Sequence, residues 1–187
     1  METIGRGSEG RGIKMPVTLR FGILTVSDRS ARGEREDISG PALEHTLKAN
    51  GWQVIWREIL PDELDVLQHF LIQKTEEKRV DILLTTGGTG FGLRDVTPEA
   101  TLAVVERIAP GLAEAMRAES LKITPHAMLS RGVAGIRKNT LIINLPGSPK
   151  GAVEQLKIVF PALPHAVQLL RDDSEAEKSH SKKRGLR

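Results

Sequence analysis

The stretch Thr85-Thr86-Gly87-Gly88-Thr89-Gly90 holds the residues best suited to chemistry in this chain. Glycines placed after an apolar run let backbone N–H groups converge on a ligand with no Cβ in the way, and such a nest suits anions, phosphate above all. Thr86 and Thr89 add hydroxyls. The loop has no Gly-Lys-Ser/Thr, so it is not a Walker loop, and Gly88, Gly90 and Gly92 miss the dinucleotide spacing. Taken alone, it also reads as a flexible turn that uses glycine for positive φ. Asp95 ends the same loop, after Arg94. A carboxylate beside a phosphate nest suggests Mg²⁺, which takes one or two carboxylates together with phosphate oxygens and water. The plain alternative is a solvated Asp95, or one paired to Arg94. Asp62 follows Pro61 at a similar corner, either as a second ligand of that metal or as a helix N-cap. Ser130-Arg131 and the run Asn144-Leu145-Pro146-Gly147-Ser148 either bond a polar ligand or simply form turns.

Other chemistries are excluded. The chain has no cysteine, which removes disulfides, thiolate metal sites and a cysteine nucleophile. His45, His69, His126, His165 and His180 make no short metal-ligand pair and no His-Glu-x-x-His, and there is no Gly-x-Ser-x-Gly elbow. Only six residues are aromatic, two Trp and four Phe, too few for single-stranded nucleic-acid stacking. The net charge of +3 is confined to the ends: residues 17–170 carry 18 Lys/Arg against 18 Asp/Glu. A neutral body exerts no long-range pull on nucleic acid or an anionic membrane. The basic ending Lys178 to Arg187 reads as a solvated tail.

Elements that position these loops follow from the apolar pattern. Leu19–Val26 and Val80–Thr86 are short, continuous apolar runs, as strands of a parallel sheet are. Trp52–Leu60 alternates, with Trp52, Val54 and Trp56 predicted on one side. A helix is expected from Pro41 to Asn50-Gly51, and another after Pro61-Asp62 through Leu64, Leu67, Phe70 and Leu71. Thr97-Pro98 predicts a helix start, Thr97 as N-cap, running to about Ile108, with a further helix from Pro110 to about Ser120. Strands at 132–137 and 140–145 meet at Lys138-Asn139, and helices at 150–158 and 161–170 follow. This alternation predicts a three-layer α/β/α domain with a mainly parallel sheet, whose ligands sit at the carboxyl ends of the strands. Those ends are the loops 26–40, 86–96 and 145–150.

One domain over 17–170 is expected, with flexible tails at 1–16 and 171–187; Met15 is as good a start as Met1. No stretch is apolar enough for a secretory signal or a membrane span, and the missing cysteines fit a reducing cytoplasm.

Taken together the motifs resemble the molybdopterin-binding family of Mog-type adenylyltransferases, related to gephyrin and its plant counterpart. The resemblance covers roughly 19–170: Thr25-Val26-Ser27-Asp28 with Ser39-Gly40-Pro41, then Pro61-Asp62, then Leu84 to Thr101, then Glu119 to Lys150. It implies that AMP passes from Mg-ATP to molybdopterin with release of pyrophosphate. It also implies a homotrimer in the cytoplasm, and a molybdenum-insertion protein as a partner. By the same resemblance Asp62 and Asp95 hold Mg²⁺ and are catalytic. Gly87, Gly88, Thr89, Gly90 and Gly147 bind substrate, and Ser27, Asp37, Ser120, Ser130 and Asn144 line the pocket. Two rival functions share the fold: a non-catalytic molybdopterin carrier or scaffold, and a nucleotide pyrophosphatase of the competence-protein type.

Overall fold

The computed structural model describes residues 18–171. The N-terminal tail, the choice of start and the basic ending lie outside them. In chain order the elements are β1 (Arg20–Val26), α1 (Asp28–Ala31), α2 (Ser39–Ala49), β2 (Gln53–Leu60), α3 (Leu64–Glu76), β3 (Ile82–Thr86), α4 (Thr97–Val104), β4 (Arg107–Ile108), α5 (Pro110–Leu121), β5 (Ala134–Arg137), β6 (Thr140–Leu145), α6 (Pro149–Val159) and α7 (Leu163–Leu170). Short 3-10 turns occupy Pro125–Leu129 and Phe160–Ala162.

The strands form one sheet in the order β2-β1-β3-β6-β5-β4. The first four are parallel neighbours; β5 and β4 add an antiparallel edge. The chain steps from β1 to β2 on one side and returns to β3 on the other, so a crevice opens at the carboxyl ends of β1 and β3. Apolar side chains fill both faces. Phe21, Ile23, Leu84 and Ile143 pack under Leu43 and Leu47 of α2, Met116 of α5, Leu156 of α6 and Leu163 of α7. Leu24, Leu83 and Ile142 pack under Leu67 and Leu71 of α3 and Ala100 and Val104 of α4. This is the expected three-layer arrangement. No helix among the described residues is long and apolar enough to cross a membrane.

Four local expectations need correction. First, Trp56 does not share a face with Trp52 and Val54. Phe21 pairs with Val54 but Gly22 pairs with Trp56, so Ile55 is an extra residue and the register shifts. Trp52 stacks on Phe21, with ring centroids 5.3 Å apart, whereas Trp56 crosses the sheet to meet Phe70 edge-on at 5.5 Å. Second, α4 ends at Val104 rather than near Ile108. Glu106 and Ala109 donate their amides to Ile136 and Ala134, so this segment becomes β4 and covers an otherwise bare sheet edge. Third, Thr97 is not the N-cap; Val96 holds that place, and the Thr97 hydroxyl donates to the Gly87 carbonyl at 2.9 Å. Fourth, α2 begins at Ser39, because Asp37 Oδ1 accepts the Gly40 amide at 3.0 Å and starts the helix ahead of Pro41.

The register shift makes a testable demand on β1. A Cβ at Gly22 would overlap the Trp56 indole. Gly22→Ala should cost roughly 1–3 kcal/mol in chemical denaturation, the usual penalty for overfilling a core. In a Trp56→Leu background the same change should cost clearly less, which a double-mutant cycle would measure.

Candidate active site

Four parallel strands end at one crevice, and each contributes a loop. β3 hands over to Gly87 and Gly88, which adopt φ of 103° and 62°. A Cβ on Gly87 would overlap the Val26 carbonyl, and one on Gly88 would lie 2.8 Å from Asp62 Oδ1. Glycine is therefore required here, because the loop folds back across the end of β1 at backbone contact distance. The turn is pinned on all sides. Gly87 donates to the Leu145 carbonyl at 3.2 Å, Thr97 donates its amide to Gly88 at 3.1 Å, and Thr86 donates its hydroxyl to Pro146 at 2.7 Å. This is a built loop rather than a flexible one. Thr89 is 6% exposed, and its hydroxyl has no hydrogen-bond partner among the described residues while lining a cavity.

Arg131 is the strut that holds the rest of the loop. Its side chain donates to the carbonyls of Gly90 at 2.7 Å and Asp95 at 2.5 Å and pairs with Glu99, while its amide donates to Thr89 at 2.9 Å. From sequence, Ser130-Arg131 reads as a donor to a polar ligand or as part of a turn; the strut across to the glycine loop is a third role. Asp95 Oδ2 accepts the Gly92 amide at 3.0 Å, so the carboxylate is fixed at the loop's end.

Asp62 is not a helix cap: Glu63 takes that position, and Asp62 instead exchanges bonds with Asp28. Asp62 Oδ2 accepts the Asp28 amide at 2.9 Å, and Asp28 Oδ1 accepts the Asp62 amide at 3.1 Å. Arg94 then grips both oxygens of Asp28, at 2.9 and 3.0 Å, so it pairs with Asp28 rather than with its neighbour Asp95. The Arg94 bonds hold the Asp28 carboxyl below its ordinary range. Burial pushes the Asp62 carboxyl up, and the negative charges of Asp28 and Asp95 push it further, against the Asp28 amide and Arg94. Asp28 is the site residue that sequence reasoning left out. Its signal was there: it closes the Thr25-Val26-Ser27-Asp28 run that leaves β1.

The remaining candidates divide into three groups. Ser27 caps α1 by accepting the Ser30 amide at 3.2 Å, and lines a cavity of about 410 Å³ with Asp37, Asp62 and Gly87. Asp37 accepts from the Thr25 hydroxyl at 2.9 Å as well as from Gly40. Ser120 and Ser130 line a second cavity of about 500 Å³, walled by Ile123, Ala127, Leu129 and Pro146. Both cavities share Gly88, Asp95, Gly147 and Ser148. Asn144 belongs to neither. It has the parity of Ile142, so it faces α4, and its amide donates to the hydroxyls of Thr85 and Thr101 at 2.9 Å each. At 1% exposure it is a structural amide.

Among the described residues no three His, Cys, Asp or Glu side chains gather into a metal-binding set. What the site offers a cation is two carboxylates, Asp62 and Asp95, over backbone amides. That donor set suits a hard ion completed by phosphate oxygens and water, and the uncompensated charge around Asp62 would be offset by it.

Residues 22–165 match a family model described as "Probable molybdopterin binding domain". A molybdopterin adenylyltransferase of Helicobacter pylori strain ATCC 700392 / 26695 is 46% identical over 155 residues, covering 82% of this chain and 88% of that protein. One from Escherichia coli K12 is 42% identical over 168 residues, covering 82% and 86%. The crystal structure of the molybdopterin biosynthesis enzyme MoaB from Thermus thermophilus superposes with a TM-score of 0.77 at 50% identity, over 82% of this chain and 96% of that one.

The raised carboxyl of Asp62 sets a sign for stability. Folding disfavours its charged form, so above the unfolded value of about 3.9 Asp62 opposes folding, and the opposition fades as pH falls through that region. Asp62→Asn should therefore raise the melting temperature of the ligand-free protein at neutral pH. The gain should shrink toward zero below about pH 4, as thermal melts across pH would show.

Proposed function

The chain belongs to the molybdopterin-binding domain family, and we infer that it is an enzyme of molybdenum-cofactor biosynthesis that transfers AMP from ATP to the phosphate of molybdopterin. The observation that carries this reading is the shared rim. Both substrates are heterocycles that carry phosphate, and the reaction joins them through their phosphates. Two cavities that meet at Gly88, Asp95, Gly147 and Ser148 give each heterocycle a lobe and bring the phosphates to one place.

In the transfer, an oxygen of the molybdopterin phosphate bonds to the α-phosphorus of ATP. The bond from that phosphorus to the bridging oxygen breaks, and pyrophosphate leaves with the electron pair. No covalent nucleophile on the protein is needed, so positioning and charge neutralisation carry the rate. The amides of Gly88, Thr89 and Gly90 and the Thr89 hydroxyl orient phosphate oxygens, while the Gly87 amide is held by Leu145. Asp28 keeps Asp62 in place through their paired backbone bonds, and Arg131 keeps Asp95 in place through the loop carbonyls. Asp62 and Asp95 would hold Mg²⁺, which supplies neutralisation of the phosphate charge when bound. The apolar wall of the larger cavity keeps water from competing with the attacking oxygen.

A homotrimer, a cytoplasmic setting and a molybdenum-insertion partner form part of the same proposal. The exposed side chains of Ile108, Ile123 and Met128 supply apolar surface that an assembly would cover.

The test is turnover of the purified protein with Mg-ATP and molybdopterin, with adenylylated pterin and pyrophosphate followed together. The two should appear in equal amounts and require Mg²⁺. Pterin binding without pyrophosphate would make the protein a carrier or scaffold, and ATP cleavage without a pterin product would make it a nucleotide pyrophosphatase. Asp62→Ala and Asp95→Ala should each lower kcat by about a hundredfold or more, as loss of a preorganised charge group does, and the double variant should be little worse, because the pair acts as a unit. Thr89→Val should raise KM while leaving the melting temperature unchanged.

A further inference from the structure

We propose that a second anion site lies at the amino ends of the strands, in a cavity ringed by Arg20, Lys78, Lys138 and Arg171, and that it takes an oxyanion of the phosphate class. The cavity measures about 270 Å³. β1 runs seven residues between this end and the catalytic crevice, so the two sites are roughly 20 Å apart and share no residue.

The charge balance at this end is uneven. Asp81, 3% exposed, is the buried carboxylate. It accepts from the Arg20 amide, Nε and Nη2 at 2.9, 3.2 and 3.0 Å, and from Arg171 Nε and Nη2 at 3.1 and 2.6 Å. Burial alone would push its carboxyl up; the bonds from Arg20 and Arg171 outweigh that and keep it ionised. Its acceptor capacity is then used, while among the described residues each guanidinium still has Nη1 without a hydrogen bond. Lys138 pairs with Glu106 at 3.3 Å. Lys78 has no partner among the described residues, and neither does the side-chain amide of Asn139. Among the described residues four cations therefore face two carboxylates, and four sets of N–H donors are left over. The remaining guanidinium N–H groups with an added ammonium match an anion that presents several oxygens, as phosphate does.

Backbone strain is the second, independent observation. Lys78 and Lys138, both at φ 52°, are the two non-glycine residues with positive φ among the described residues, and both line this cavity. Lys78 follows the end of α3 and Lys138 sits in the β5–β6 turn, positions where glycine is the relaxed residue. Lysine has no short polar side chain to offset left-handed strain by a local bond. Two strained lysines at one cavity point from the strain to a use for their charge.

The experiment is an amide ¹H–¹⁵N NMR titration of the full chain with inorganic phosphate, with sodium chloride at matched ionic strength as the control. Phosphate should shift the amides of Lys78, Val80 and Lys138 to Thr140, as a set separate from any shifts at Gly87–Gly90. Lys78→Gly, which keeps the turn and relaxes its φ, should remove the first set, leave the second, and leave AMP transfer unchanged. The proposal is overturned if the first set does not move, if chloride moves it as far, or if it moves equally in Lys78→Gly. Loss of the Gly87–Gly90 response alone would count against the reading of the catalytic site and leave this one standing.

Discussion

The site depends on one close approach: the Gly87-Gly88 turn passes over the end of β1 with its backbone against the Val26 carbonyl and Asp62. Only a residue without Cβ, in the left-handed region, can make that crossing. Its consequences spread through the fold. Because the turn is low, the Gly87 amide reaches Leu145 and the Gly87 carbonyl receives Thr97, so β6 and α4 are tied to the same point. Because it is low, Asp62 lies beside the amides rather than behind a side chain. The loop then climbs to Asp95, and Arg131, arriving from the segment before β5, ties it down.

Electrostatics divide the two ends of the sheet. At the amino end, Asp81 is surrounded by donors and its carboxyl is held low, so it contributes stability above about pH 3.9 and loses it as pH falls through the lowered value. At the carboxyl end, Arg94 is committed to Asp28, and Asp62 is left half-buried beside two like charges. A purely structural carboxylate would have been given a partner there, as Asp81 was. The unbalanced charge is a cost to folding that a bound cation with its phosphate ligand would reverse, and in this Asp62 differs from the paired Asp81.

Much of this was legible in the sequence, for identifiable reasons. Apolar runs such as Leu19–Val26 and Val80–Thr86 are buried on both faces and report a parallel sheet directly. The glycine loop stood out because glycines directly after an apolar run let backbone amides converge on an anion, although the same residues also read as a flexible turn. What was hidden depends on partners distant in the chain. The extra residue at Ile55 that turns Trp56 over is invisible without knowing that Gly22 lies opposite it. Asp62 after Pro61 looks like a cap because local pattern cannot show an Asp28 amide 34 positions away. Asn144 sat in a motif beside Pro146 and Gly147, yet strand parity sends its side chain to the far face. Only the residues after Leu145, where the strand ends and parity no longer applies, are free to face the ligand.

That last point explains the shape of the site. A strand residue can serve one face of a sheet, so a crevice needing amides, carboxylates and hydroxyls together must draw them from loops past the strand ends. Here four loops do so, and cross-bonds keep them in register. Ser39 of α2 donates to Gly147, Asp28 and Asp62 exchange bonds, Thr86 reaches Pro146, and Arg131 spans to Gly90 and Asp95. Each bond joins a different pair of loops, so none can shift without disturbing another. A reaction that moves a nucleotidyl group between two bound substrates has no covalent intermediate to hold its geometry. It relies on the scaffold to keep both phosphates aligned through the transfer. The interlocked loops are the physical form of that requirement, and the glycine crossing is what brings them within reach of one another.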